Sequence, residues 1–108
     1  MAANRAFRAL ADPTRRRILR LLRERPRTSG EIADAFESSW PTISRHLAVL
    51  RAAKLIVRSR KGQFVEYDVN TTVLQEVIEL LLDTLPEHQR WPSNVARSLP
   101  SPARSSRR

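Results

Sequence analysis

Residues 38–65 read SSWPTISRHLAVLRAAKLIVRSRKGQFV. Ile43, Leu47 and Leu50 recur at helical spacing behind a start signal, with Ser39 as the cap and Pro41 in the first turn, where its missing N–H is tolerated. After Ala53 the pattern changes. Leu55–Ser59 is rich in strand formers, Arg60-Lys61-Gly62-Gln63 reads as a turn, and Phe64–Val69 alternates apolar with polar. A helix followed by a two-stranded wing is the expectation. The stretch also holds Arg45, Arg51, Lys54, Arg58, Arg60 and Lys61 and no acidic residue. Cations gathered on two adjacent projections are what gripping a phosphate backbone requires, so the partner implied is double-stranded DNA.

Working upstream, Thr28-x-x-Glu31 has the form of a capping box and opens a short helix with Ile32, Ala33 and Phe36 facing inward. Glu37-Ser38-Ser39 then connects two short helices, the pattern of a helix-turn-helix. Asp12-Pro13 marks an earlier helix start, an Asp cap before Pro at the first helical position. Ile18, Leu21 and Leu22 give that helix its apolar stripe, Pro26 ends it, and Arg15, Arg16, Arg17, Arg20 and Arg23 read as a solvated face. Phe7 and Leu10 suggest a short first helix stopping near Asp12.

Downstream, a final helix over Thr71–Leu85 carries Val73, Leu74, Val77, Ile78, Leu80, Leu81, Leu82 and Leu85, with Glu76, Glu79 and Asp83 as its only charges. That apolar surface is wider than one small core covers, and the remainder marks an interface. The fold class expected is mostly α with a small β-hairpin, a winged helix-turn-helix over residues 1–85. Residues 86–108 hold four of the seven prolines and scattered arginines and read as a Pro/Ser/Arg-rich, disordered tail.

Within residues 38–53, Arg45 falls almost opposite the core face, flanked by Thr42, Ser44, Ala48 and Val49. These neighbours are short, so nothing bulky keeps the helix out of a major groove about 12 Å wide. Arg60, Lys61 and Gln63 at the wing tip can donate to phosphate or minor-groove oxygens.

At 108 residues the chain is one small domain with at most a tail, and its net charge of +9 favours polyanionic partners. It has no cysteine, which excludes disulfides, thiolate metal sites and cysteine nucleophiles. His46 and His88 lie on different elements without a clustered carboxylate, so no metal or other cofactor is expected. Ser44 and His46, at i and i+2, do not face each other on a helix, and no acid is placed to orient the imidazole. An enzyme is therefore not expected. No apolar run approaches a membrane span and the start, MAANRAFRALAD, lacks a signal-peptide core; a cytoplasmic protein is inferred.

Leu10-Ala-Asp-Pro-Thr-Arg-Arg16, Gly30-Glu-Ile-Ala33, Pro41-Thr-Ile-Ser-Arg-His-Leu47 and Leu50-Arg51 with Leu55-Ile56 together resemble the ArsR family of bacterial winged-helix repressors over about residues 5–85. Gly62–Tyr67 followed by Asn70–Ile78 further resembles the SdpR-like autorepressor branch of that family. The resemblance implies a homodimer joined through its first and last helices, here through Phe7, Leu10, Leu74, Val77, Ile78, Leu81, Leu82 and Leu85. It implies a twofold-symmetric operator, read through Ser39, Trp40, Thr42, Ser44 and Arg45 with His46 beside them, and gripped by the wing at Arg58, Arg60, Lys61 and Gln63. It leaves room for an inducer, either an unidentified protein or a small molecule. Two positions depart from the family's pattern: Trp40 stands where relatives commonly have a polar or basic residue, and Lys54 where they commonly have a helix-ending glycine. The competing reading is a winged-helix protein-interaction module that docks a different protein on its apolar last helix.

Overall fold

The structure is a computed structural model that describes residues 2–87. Along the chain run α1 (Ala2–Leu10), α2 (Pro13–Glu24), β1 (Arg27–Thr28), α3 (Ser29–Asp34), α4 (Trp40–Ala52), β2 (Ile56–Lys61), β3 (Phe64–Val69) and α5 (Thr71–Leu82). Most of the expected tail, with His88 and Trp91, lies outside the described residues.

At the starts of α2 and α3, side chains satisfy the first free backbone donors. The Asp12 carboxylate accepts from the Arg15 N–H at 3.0 Å, with Pro13 opening α2. At α3 the capping box is complete: the Glu31 N–H donates to Thr28 Oγ1 at 3.2 Å, and the Glu31 carboxylate accepts from the Thr28 N–H at 2.9 Å. Ser39 occupies the cap position of α4, but its side chain makes no bond to the helix backbone; its hydroxyl meets Thr42 Oγ1 at 3.1 Å instead.

Ile18, Leu22, Ile32, Ile43, Leu50 and Leu55 are the largest fully buried side chains, contributed by α2, α3, α4 and the residue that leads from α4 into the wing. Leu19, absent from the expected stripe of α2, is buried, while Leu21 is half-buried. In α1 the buried residues are Ala6 and Ala9, with Phe7 and Leu10 packed at the edge of the core. Two alanines let α1 lie close against α2, α4 and α5. Its last carbonyls are taken by α2: Arg15 Nε donates to Ala9 O at 2.7 Å, Arg15 Nη2 to Arg8 O at 3.1 Å, and Arg16 Nη1 to Leu10 O at 2.7 Å. Arg17 stacks over the Phe36 ring at 5.4 Å. The expected solvated face of α2 is thus partly spent on packing. Phe36 lies beyond the end of α3, so the turn between α3 and α4 runs over residues 35–39 and is longer than the expected Glu37-Ser38-Ser39.

The end of α4 sets the course of the chain into the wing. Lys54 adopts φ 63°, the left-handed conformation that glycine normally supplies. Around it the Lys54 N–H donates to Arg51 O at 2.9 Å and the Leu55 N–H to Leu50 O at 3.0 Å, the paired bonds of a Schellman closure, with Leu50 and Leu55 both fully buried. β2 then pairs antiparallel with β3 from Ile56↔Val69 to Lys61↔Phe64, so Arg60 and Lys61 belong to the strand and the turn is Gly62-Gln63 alone. Gly62, at φ 62°, occupies the first loop position, the type II′ arrangement that suits the twist of a two-residue hairpin. A Cβ there meets nothing within 4 Å, so glycine serves the backbone angle and not a close contact.

The wing has a third strand that the sequence reading lacks: β1 pairs with β3 through Arg27↔Tyr67 and Thr28↔Glu66, giving the order β1-β3-β2. α5 ends at Leu82, short of the expected Leu85. The Thr84 hydroxyl donates to Leu81 O at 2.7 Å, and Pro86 disfavours a helical Leu85 before it.

Replacing Lys54 by glycine relieves the left-handed side chain at some cost in unfolded-state entropy, and is expected to raise stability by about 0.5–1 kcal/mol in urea unfolding; unchanged or reduced stability contradicts the strain. The Arg15 N–H, and then the charges of His46 and Arg15, hold the Asp12 carboxyl below its ordinary pKa. Its contribution is complete above the unfolded value near 3.9 and is lost as the pH falls through that value to the lower folded one. Asp12→Ala is expected to cost about 1 kcal/mol at neutral pH, with the difference shrinking below about pH 4. A pH-independent difference contradicts a role for the ionised carboxylate.

Candidate nucleic-acid interface

α4 turns Ile43, Leu47 and Leu50 into the core and leaves Arg45 exposed on its far side. Ser39, Trp40 and Ser44 are exposed around its first turns, Trp40 at 46%, and Thr42 is half-buried. His46 is placed differently. Its side chain is only 18% exposed, with Nδ1 at 3.3 Å from Arg15 Nη1 and 3.9 Å from Asp12 Oδ2. The Arg15 contact is a hydrogen bond when Nδ1 carries no proton, and the Asp12 contact is an ion pair when the ring is protonated. His46 therefore ties α4 to the start of α2, and through Arg15 to the last carbonyls of α1.

In the wing, strand alternation separates residues that the sequence reading grouped. Arg58 stands opposite Tyr67 and Arg60 opposite Val65, on the face that includes buried Ile56. Lys61 shares the other face with Ser59, Val57 and Phe64. All three cations are exposed, as is Gln63 in the turn. Phe64, at 63%, is the most exposed large apolar side chain among the described residues. Alternation alone does not foretell this, because the outer face has no layer packed on it.

Among the described residues the ion pairs are Arg25–Glu31, Arg27–Glu24 and the His46–Asp12 contact. None involves Arg45, Arg51, Lys54, Arg58, Arg60 or Lys61. An anion meeting these groups displaces solvent and counterions, with no internal carboxylate to compete.

Among the expected interface residues, Leu81 and Leu85 are 52% and 43% exposed, and Leu80, not among them, is 42% exposed. Phe7, Leu10, Leu74, Ile78 and Leu82 are half-buried. Val77 is 5% exposed and packs into the core of its own chain, so it is not available to a partner. An open groove of about 560 Å³ lies between α2 and the start of α5, away from α4, with Arg16, Arg20, Arg23 and Asp68 among its lining. No group of three or more His, Cys, Asp or Glu side chains among the described residues is arranged to hold a metal ion, and no helix among them is long and apolar enough to cross a membrane.

A helix-turn-helix domain model matches residues 10–59. The chain is 50% identical over 80 residues to the transcriptional repressor SdpR of Bacillus subtilis, covering 74% of this chain and 89% of that one. It is 42% identical over 94 residues to an arsenic resistance transcriptional regulator of Pseudomonas putida, covering 86% and 73%. Among solved structures it superimposes on an ArsR-like transcriptional regulator from Rhodococcus with a TM-score of 0.71 at 26% identity, covering 76% and 77% of the two chains. The homodimeric winged helix-turn-helix DNA-binding domain of a Mycobacterium bovis protein gives 0.64 at 26% identity, covering 84% and 87%. A helix-turn-helix whose second helix carries an exposed arginine outward, a basic wing behind it, and relatives that are regulators of transcription agree on one assignment: the chain belongs to the ArsR family of winged helix-turn-helix transcriptional regulators.

Proposed function

We propose that two copies of this chain form a repressor that occupies a twofold-symmetric operator, each copy laying α4 in the major groove and its wing along the flanking backbone. The observation that carries this reading is Arg45: an exposed cation without an ion-pair partner among the described residues, set among short neighbours on the side of α4 opposite Ile43, Leu47 and Leu50. Arg45 is the base reader, since arginine matches the guanine O6/N7 edge with two hydrogen bonds. Ser39, Trp40, Thr42 and Ser44 line the groove, while Arg58, Arg60, Lys61 and Gln63 hold phosphates. His46 acts by holding α4 against the start of α2.

Dimerisation uses the exposed Leu80 and Leu81 of α5 and Leu85 just beyond its end, with the edges of Phe7, Leu10, Leu74, Ile78 and Leu82. The homodimeric state of the Mycobacterium bovis neighbour supports this arrangement. Residues 1–85 form the folded unit and 86–108 a cationic tail. The protein works on DNA in the cytoplasm and represses its own promoter, with a protein or a small molecule as its inducer.

Arg45→Ala is expected to weaken specific operator binding by roughly 1–3 kcal/mol and relax the sequence preference at one position of each half-site. Lys61→Ala is expected to weaken all duplexes alike and to reduce the slope of log K against log salt by about 0.9 for each phosphate contact removed. Titrations at several fixed salt concentrations measure both; unchanged affinity in both variants rejects this placement.

A further inference from the structure

Beyond Arg45, the middle of the outward arc of α4 carries no polar side chain, Thr42 and Ser44 lying to its sides. At about 100° per residue, the positions that share this arc are Pro41, Arg45, Ala48, Val49 and Ala52, and all five are exposed. Arg45 is the only one of them whose side chain forms hydrogen bonds. Thr42, at the border, has its hydroxyl at 3.1 Å from Ser39. Val49 is the largest apolar group on the arc, 37% exposed, one helical turn beyond Arg45. Alanines at 48 and 52 flank it and leave its branched end free to meet a surface.

We propose that Val49 selects thymine, by covering its 5-methyl group at a base pair next to the one Arg45 reads. The proposal rests on the placement of α4 in the major groove put forward above. Its chemistry is set by the base edges. Thymine alone presents a methyl in the major groove, beside its O4 acceptor, while guanine, adenine and cytosine have no methyl to cover and present acceptors and donors that lose water against a valine and gain no partner. An apolar residue in this place therefore favours thymine twice, by burying its methyl and by penalising the polar edges. The expected half-site pairs a guanine, held through O6 and N7, with a thymine a step or two along the groove.

The test uses duplexes selected from a random pool by the purified full-length chain, resynthesised with deoxyuridine at each thymine in turn. Uracil keeps every hydrogen-bonding group and lacks only the methyl. With the unaltered protein, one uracil per half-site beside the Arg45-dependent base pair is expected to weaken binding about fourfold. Val49→Ala, with unchanged thermal stability, is expected to bind the thymine and uracil duplexes alike. The proposal is overturned if no uracil substitution weakens the unaltered protein, or if the loss is equally large in Val49→Ala. A different result marks failure of the underlying reading: if Arg45→Ala binds the selected duplexes as well as the unaltered protein, α4 is not in the groove and the thymine proposal falls with it.

Discussion

Leu55 is the residue on which the arrangement of helix and wing depends. Its N–H is committed to Leu50 O at 3.0 Å, its carbonyl accepts from the Asn70 N–H at 2.9 Å, and its side chain is fully buried. The first bond closes α4 and turns the chain out of the helix through Lys54. The second clips the end of β3 to the start of β2, immediately before α5 begins. One buried leucine thereby fixes the direction of α4, the base of the wing and the point where α5 departs. A helix that reads bases is useful only if its backbone grip is held at a constant offset. This closure supplies the offset without a glycine, at the cost of a lysine in the left-handed region.

The basic residues divide by what they touch. Arg15 and Arg16 satisfy the final carbonyls of α1, and Arg15 also meets His46, so α1 is linked to α4 through Arg15. Arg25 and Arg27 pair with glutamates at the edge of β1. Arg45, Arg58, Arg60 and Lys61 have no carboxylate partner among the described residues, and they stand exposed on α4 and the wing. Net charge draws the protein toward polyanions in general. Which cations remain free determines where a phosphate or base edge is met.

Much of this was legible in the sequence because helical phase and capping chemistry are local. Asp12-Pro13, Thr28 with Glu31, and the Ile43, Leu47, Leu50 series each carry their own signal within one or two turns, and the departure at Lys54 is visible as a missing glycine. Other features depend on residues far apart in the chain. β1 has only two residues and exists through its pairing with β3. Ala6 and Ala9 are buried because other helices cover them, and small residues give no strong phase signal. Arg15 and Arg16 looked like solvent-facing charge until α1 lay across them. The shortened turn moved Arg60 and Lys61 into a strand, where alternation places them on opposite faces. Val77 illustrates a limit of apolar patterning: a helix wheel shows that α5 has more apolar surface than a core needs, but not which side the core takes.

Methylation interference on a selected operator tests the central claim most directly, because dimethyl sulfate marks guanine N7 in the major groove and adenine N3 in the minor groove. The result expected is interference at guanines in two twofold-related clusters about one helical turn apart, with that guanine signal lost in Arg45→Ala. Interference confined to adenine N3, or a guanine pattern identical in Arg45→Ala, would contradict the placement of α4 in the major groove.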